Sequence, residues 1–214
     1  MRYLIACGGK IDKEFGLHEI KTDGIDAIIA ADSGMDFLYE NGVTPDIIVG
    51  DFDSTTTNAL EYFERKGQTE IRRLNPIKDD TDTEYAIRLA ISEGARSIVV
   101  LGATGSRIDH VLGNISLLGI GLESGTDISI IDTNNRIRMA DKPVTIEKSA
   151  QYGRFVSLIA LTDDNEVSLK GFKYPVTDYS FDRFTSLGIS NEIVDDHALI
   201  DIHRGKFIII ESKD

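Results

Sequence analysis

The sequence predicts a two-part protein: a parallel α/β sheet domain followed by an all-β domain. Three observations carry this. Short apolar runs alternate with helical patterns over the first two-thirds of the 214 residues. Several of those runs are apolar on both faces, as strands of a parallel sheet covered by helices are. After about Asn135 the rhythm changes to short strand-like segments separated by turn residues, with no helical pattern of useful length.

In the first part the predicted strands are Tyr3 to Ala6, Ala27 to Ala31, Asp46 to Val49, Glu70 to Leu74, Ser97 to Leu101 and Asp127 to Ile131. Between them lie amphipathic stretches. One carries Ala86, Ile87, Ala90 and Ile91 and stops at Gly94, a residue suited to a helix C-terminus. Another runs from Ile108 with Val111, Leu112, Ile115 and Leu118 at helical spacing. This βαβα order indicates a parallel sheet with helices on its faces. In the second part the strand candidates are Pro143 to Glu147, Arg154 to Leu161, Asn165 to Leu169, Ala198 to His203 and Lys206 to Glu211. Turn signals at Asp163-Asp164-Asn165, Gly171 and Arg204-Gly205-Lys206 separate them. The boundary falls near Thr133-Asn134-Asn135, giving domains of residues 1–132 and 133–214.

Composition sets limits on function. The hydrophobic share of 41% and charged share of 28% are those of an ordinary globular protein. Twenty-three basic against 36 acidic side chains leave a formal charge of −13. A nucleic-acid or anionic-membrane binder needs a clustered positive surface, so neither partner is expected. A phosphate ligand is compatible with this charge, because a metal ion can neutralise it locally. No run approaches the ~18 apolar residues of a membrane helix. The stretch Met1 to Lys10 is too short in apolar residues for a signal peptide and breaks at Gly8-Gly9, so a cytoplasmic location is expected. The single cysteine, Cys7, ends an apolar run and reads as a buried structural residue.

Polar motifs cluster at predicted strand ends, where open parallel sheets bind ligands. Asp32-Ser33-Gly34 follows the second strand; by itself it reads as the start of a helix. Gly50-Asp51-Phe52-Asp53-Ser54 follows the third. Asp51 and Asp53 sit two apart, so in extended chain they point the same way and repel. Such a pair persists where a cation neutralises it, and oxygen ligands suit Mg²⁺. A third cluster holds Lys78, Asp79, Asp80, Thr81, Asp82 and Glu84. Thr81 and Glu84 fit a capping box, with Asp82 in the first helical turn, which leaves Lys78 and Asp79 unexplained.

The fourth motif, Gly102-Ala103-Thr104-Gly105-Ser106-Arg107-Ile108-Asp109-His110 with Asn114, follows the fifth strand. A glycine-bearing loop before a helix offers N–H groups to a phosphate, and Arg107 adds a planar charged fork. Arg107, His110 and Asn114 share one helix face. A cation at a helix N-terminus is disfavoured unless an anion sits there. The loop has neither the P-loop nor the G-x-G-x-x-G pattern.

Taken together, these motifs resemble the thiamine pyrophosphokinase family in order and over almost the whole chain. Gly171-Phe172-Lys173-Tyr174-Pro175 and Gly188-Ile189-Ser190-Asn191-Glu192 add to the likeness. The resemblance implies a Rossmann-like ATP-binding domain and a β-sandwich that contributes to thiamine binding and dimerisation. It also implies a homodimer with active sites at the interface. On the same ground Asp51, Asp53 and an acid of the third cluster, Asp82 first and Asp79 second, would hold Mg²⁺. Asp32, Gly34, Thr104, Gly105, Arg107, His110 and Asn114 would face the nucleotide, and Ser190 and Asn191 would lie near thiamine. Some relatives stack thiamine on a tryptophan; this chain has none.

The activity so implied moves the pyrophosphoryl group of ATP to the hydroxyl of thiamine, with Asp79, Asp82 or Asp109 as candidate proton acceptor. Two other readings compete. Val49-Gly50-Asp51-Phe52-Asp53 loosely resembles the nucleophile motif of haloacid-dehalogenase-type phosphatases, although that motif follows a first strand. A nucleotide sensor without catalysis is the other.

Overall fold

The computed structural model describes residues 1–52, 58–75 and 80–214. Its contacts divide the chain into two units, Met1–Thr133 and Asn134–Asp214.

Six strands build the sheet of the first unit: β1 (Arg2–Ala6), β2 (Ala27–Ala31), β3 (Ile47–Gly50), β4 (Glu70–Arg73), β5 (Ser97–Leu101) and β6 (Asp127–Ile131). They pair in parallel in the order β6-β5-β1-β2-β3-β4. Helices α1 (Lys13–Ile20), α2 (Gly34–Glu40), α3 (Ala59–Lys66), α4 (Asp82–Ser92) and α5 (Ile108–Ser124) alternate with them. The chain steps outward from β1 to β4, then returns to the other side of β1 to continue through β5 and β6. Because such crossovers are right-handed, the reversal divides the helices between the two faces. Ala6, Ala30 and Ile48 pack with Met35 and Leu38 of α2 and with Ala59 and Phe63 of α3. Alternate strand residues such as Ile5, Ile29, Val49 and Val100 are equally buried, as strands covered on both faces require. Helix α4 packs against β1, β2 and β3 through the buried Ala86, Ile87 and Ala90.

Local signals set several helix ends. Asp12 caps α1 by accepting the Phe15 amide at 3.0 Å. Thr81 caps α4 by accepting the Glu84 amide at 3.2 Å, as the capping box predicts. Gly94 lies just beyond α4 with φ +88°, a conformation that costs glycine nothing.

The second unit contains β7 (Asn135–Ala140), β8 (Val144–Glu147), β9 (Phe155–Ala160), β10 (Glu166–Lys170), β11 (Val176–Tyr179), β12 (Asn191–Glu192), β13 (His197–Arg204) and β14 (Phe207–Ser212). They form two antiparallel sets, β12-β9-β14-β7 and β11-β10-β13-β8. One apolar core joins residues of both sets, among them Val156, Leu158, Phe207 and Ile209 with Ile146, Val167, Leu169, Ile200 and Ile202. Two sheets sharing a core make a sandwich. A buried ion group belongs to the same unit. Glu211, fully buried, accepts from Arg136 Nε and Nη2 at 2.8 and 2.6 Å, from Arg138 Nη2 at 2.8 Å and from the Tyr152 amide at 2.9 Å.

Candidate functional site

Three carboxylates meet at the carboxyl edge of the parallel sheet. Asp32 is the first residue after β2, Asp51 the first after β3, and Asp82 opens α4. One oxygen from each lies within 4.8 Å of the others, and all three side chains are half-buried. The backbone is bent to achieve this. Asp32 and Phe52 adopt φ of +48° and +65°, conformations non-glycine residues seldom occupy and which concentrate at functional sites. Gly50 permits the approach, since a Cβ there would lie 3.2 Å from the Asp32 Cα and 3.1 Å from the Phe52 ring. Three acids so close repel unless a cation joins them, and a small set of carboxylate oxygens is the donor chemistry of Mg²⁺.

Asp32 thus lies with Asp51 and Asp82, a grouping that the sequence reading did not make and that is compatible with the nucleotide-facing place the family resemblance implies for it. The signal was present: Asp32 and Asp51 each follow directly on a strand, and β2 and β3 are neighbours. Asp53 and Asp79, together with Ser54 and Lys78, lie outside the described residues. Gly34 has a packing reason of its own. It is buried at the start of α2, and a Cβ there would overlap the Ala6 carbonyl.

The loop after β5 and the start of α5 are differently organised. Arg107 occupies the N-cap of α5 and pairs with Asp109 through Nε to Oδ1 at 3.2 Å and Nη2 to Oδ2 at 2.5 Å. The anion that a cationic helix start calls for is thus supplied by the chain itself. This hydrogen bond holds the Asp109 carboxyl below its ordinary pKa, so Asp109 is a weak proton acceptor. Asn114 donates to the Ala103 carbonyl at 2.8 Å and Thr104 to Asp132 at 2.8 Å, which fix the loop. Gly105, Arg107 and His110 are exposed on it. Ile108 and Leu112, part of the apolar stripe, are exposed as well, at 65% and 61%. Cys7 is buried against Thr83, whose hydroxyl lies 3.4 Å from its sulfur, and burial pushes its pKa up to about 11. It is an inert structural thiol.

In the β unit, Ser190 has φ +60° and its amide donates to Ser157 Oγ at 2.9 Å. Asn191 is 6% exposed. Its Oδ1 accepts the Tyr174 and Glu192 amides at 3.0 and 2.9 Å, and its Nδ2 donates to the Tyr174 carbonyl at 2.9 Å. Its amide is occupied in holding the backbone of Tyr174, whose ring is 61% exposed. Lys173 adds an ion pair to Glu192 at 2.8 Å, with its ammonium 5.6 Å from the Tyr174 ring centre.

An open parallel sheet with acids converging at the carboxyl ends of its strands, followed by an antiparallel β unit, defines an α/β protein of the class whose ligand crevice lies at that edge. Residues 21–130 match the family model described as thiamin pyrophosphokinase, catalytic domain, and residues 143–207 match the thiamin pyrophosphokinase vitamin B1 binding domain. The chain is 34% identical over 195 residues to the thiamine pyrophosphokinase of Bacillus subtilis strain 168, which covers 90% of each sequence. A crystal structure of thiamine pyrophosphokinase from Bacillus subtilis superposes with a TM-score of 0.89 at 31% identity, over 100% of both chains. The structure of thiamin pyrophosphokinase from Candida albicans shares the fold at a TM-score of 0.80 and 22% identity, over 99% of this chain and 88% of that one. The chain belongs to the thiamin pyrophosphokinase family and is an enzyme of that kind. These matches do not favour the phosphatase or sensor readings.

Proposed function

We propose that this chain transfers the pyrophosphoryl group of ATP to the hydroxyl of thiamine, releasing AMP and forming thiamine diphosphate. The observation that carries the reading is the meeting of Asp32, Asp51 and Asp82 at the carboxyl edge of the unit that matches the family's catalytic domain. These oxygens fit Mg²⁺, which when bound would neutralise phosphate charge as AMP departs. The carboxylates would hold that cation, which supplies the positive charge a polyphosphate requires at this acidic edge for in-line attack at the β-phosphorus. Positioning and electrostatics supply most of the acceleration in such transfers.

In the β unit the proposed thiamine contacts centre on Ser190 and on the exposed Tyr174 ring that Asn191 supports. A homodimer is proposed on the exposed apolar side chains of each unit: Ile108 and Leu112 in the first, Phe184, Leu187 and Ile189 in the second. The cytoplasm is the proposed location; among the described residues no helix is long and apolar enough to cross a membrane.

Mixing the protein with Mg²⁺, ATP and thiamine tests the reading. AMP and thiamine diphosphate should appear in equal amounts. Formation of ADP and thiamine monophosphate instead would mean γ-phosphoryl transfer and overturn it.

A further inference from the structure

We propose that the loop Gly8-Gly9-Lys10 contacts the polyphosphate of the nucleotide and that the Lys10 ammonium supplies the cation for it. The inference rests on the use of ATP proposed above and adds a binding group on a different loop. The chain reverses direction across the sheet between β1 and β5, and in open α/β sheets the ligand crevice opens beyond the strand ends at such a point. The two loops that flank this crevice are residues 7–12, after β1, and residues 102–107, after β5. On the second, Arg107 is already engaged by Asp109. On the first, Lys10 is exposed and makes no ion pair with any described residue.

The packing of this loop places it beside both halves of the candidate site. A Cβ at Gly8 would overlap Ser33 Oγ, next to Asp32. The Gly9 amide donates to the Gly102 carbonyl at 2.9 Å, and a Cβ at Gly9 would overlap that same carbonyl. The two glycines thus let the β1 loop sit between the loop that bears Asp32 and the loop after β5. The Gly8 and Lys10 amides donate to no described residue, so they are available to phosphate oxygens. The N-terminus of α1 is not, because the Asp12 carboxylate occupies it. An ammonium two residues from Gly8 offsets phosphate charge at this loop. In a chain of formal charge −13 that compensation has to be local.

The test is equilibrium titration of the full chain with ATP in Mg²⁺, and separately with adenosine, for wild type, Lys10→Ala and Lys10→Arg. Loss of one charge-assisted contact should raise the ATP dissociation constant about tenfold or more in Lys10→Ala. Lys10→Arg should retain most of the ATP affinity, adenosine binding should be unchanged in both variants, and melting temperatures should stay equal. Equal ATP affinity in wild type and Lys10→Ala would overturn the inference, as would an equal loss for ATP and adenosine. A wild type that binds ATP but makes no thiamine diphosphate defeats the proposed function alone, and the Lys10→Ala comparison still decides this inference. A wild type that does not bind ATP defeats both.

Discussion

Replacing Asp51 by Asn removes one charge from the carboxylate triad while keeping the shape of the side chain. Two unit charges at the 4.8 Å limit of the triad repel by about 0.9 kcal/mol in water and about 3.5 kcal/mol at an effective dielectric constant of about 20. Asp51 takes part in two such pairs, so the aqueous figure gives a gross relief of about 2 kcal/mol, from which the contacts that Asp51 itself makes are subtracted. In a chain of this size that corresponds to a melting temperature higher by about 4–8 °C without metal at low ionic strength. Asp51 lies outside any helix, so no helix-dipole contribution offsets the gain, as it would for Asp82. With Mg²⁺ the order should reverse in its consequences. The wild type gains stability by linkage, the variant gains much less, and turnover falls by about 100-fold or more. Thermal melts in EDTA and in MgCl₂, run beside an AMP assay, read all three effects. A variant that melts lower in EDTA, and whose melting rises with Mg²⁺ as much as the wild type's, would refute the metal-holding role of Asp51.

Two further outcomes are expected from the β unit. Glu211→Gln leaves Arg136 and Arg138 without their shared carboxylate and should lower stability by about 3 kcal/mol, read as a fall in the urea midpoint; an unchanged midpoint would show the group to be energetically idle. Replacing Ser190 and Asn191 together by alanine should raise the thiamine KM much more than the ATP KM, since it removes the Ser190 hydroxyl and releases the Tyr174 backbone from the Asn191 amide. Equal changes in both constants would remove these residues from the thiamine site.

Much of the architecture was legible locally. All six parallel strands lie within a residue of where the sequence puts them; five are apolar runs, because a strand buried on both faces leaves a continuous apolar signature, and the edge strand β4, Glu-Ile-Arg-Arg, is the polar exception. The start of α4 was legible for the same local reason, a hydroxyl reaching an amide three residues on. Strand β7 was not. Its sequence, Asn-Arg-Ile-Arg-Met-Ala, alternates arginine with apolar residues, and both arginines serve the buried Glu211, 75 and 73 residues away. The short β11 and β12 carry polar residues for which no period argues.

The site divides along the same line. That acids stand at strand ends is written in the sequence, as are Asp51 and Asp82 as candidate ligands. That Asp32 joins them was decided by β2 lying beside β3, which brings two strand ends from distant stretches of chain to one edge. That Arg107 spends its charge on Asp109, and Asn191 its amide on Tyr174, was likewise decided by side-chain geometry. Periodicity and caps act within a turn or two of chain, so sequence determines them. Which polar groups satisfy one another is settled by proximity across the fold, and only the tertiary structure fixes that.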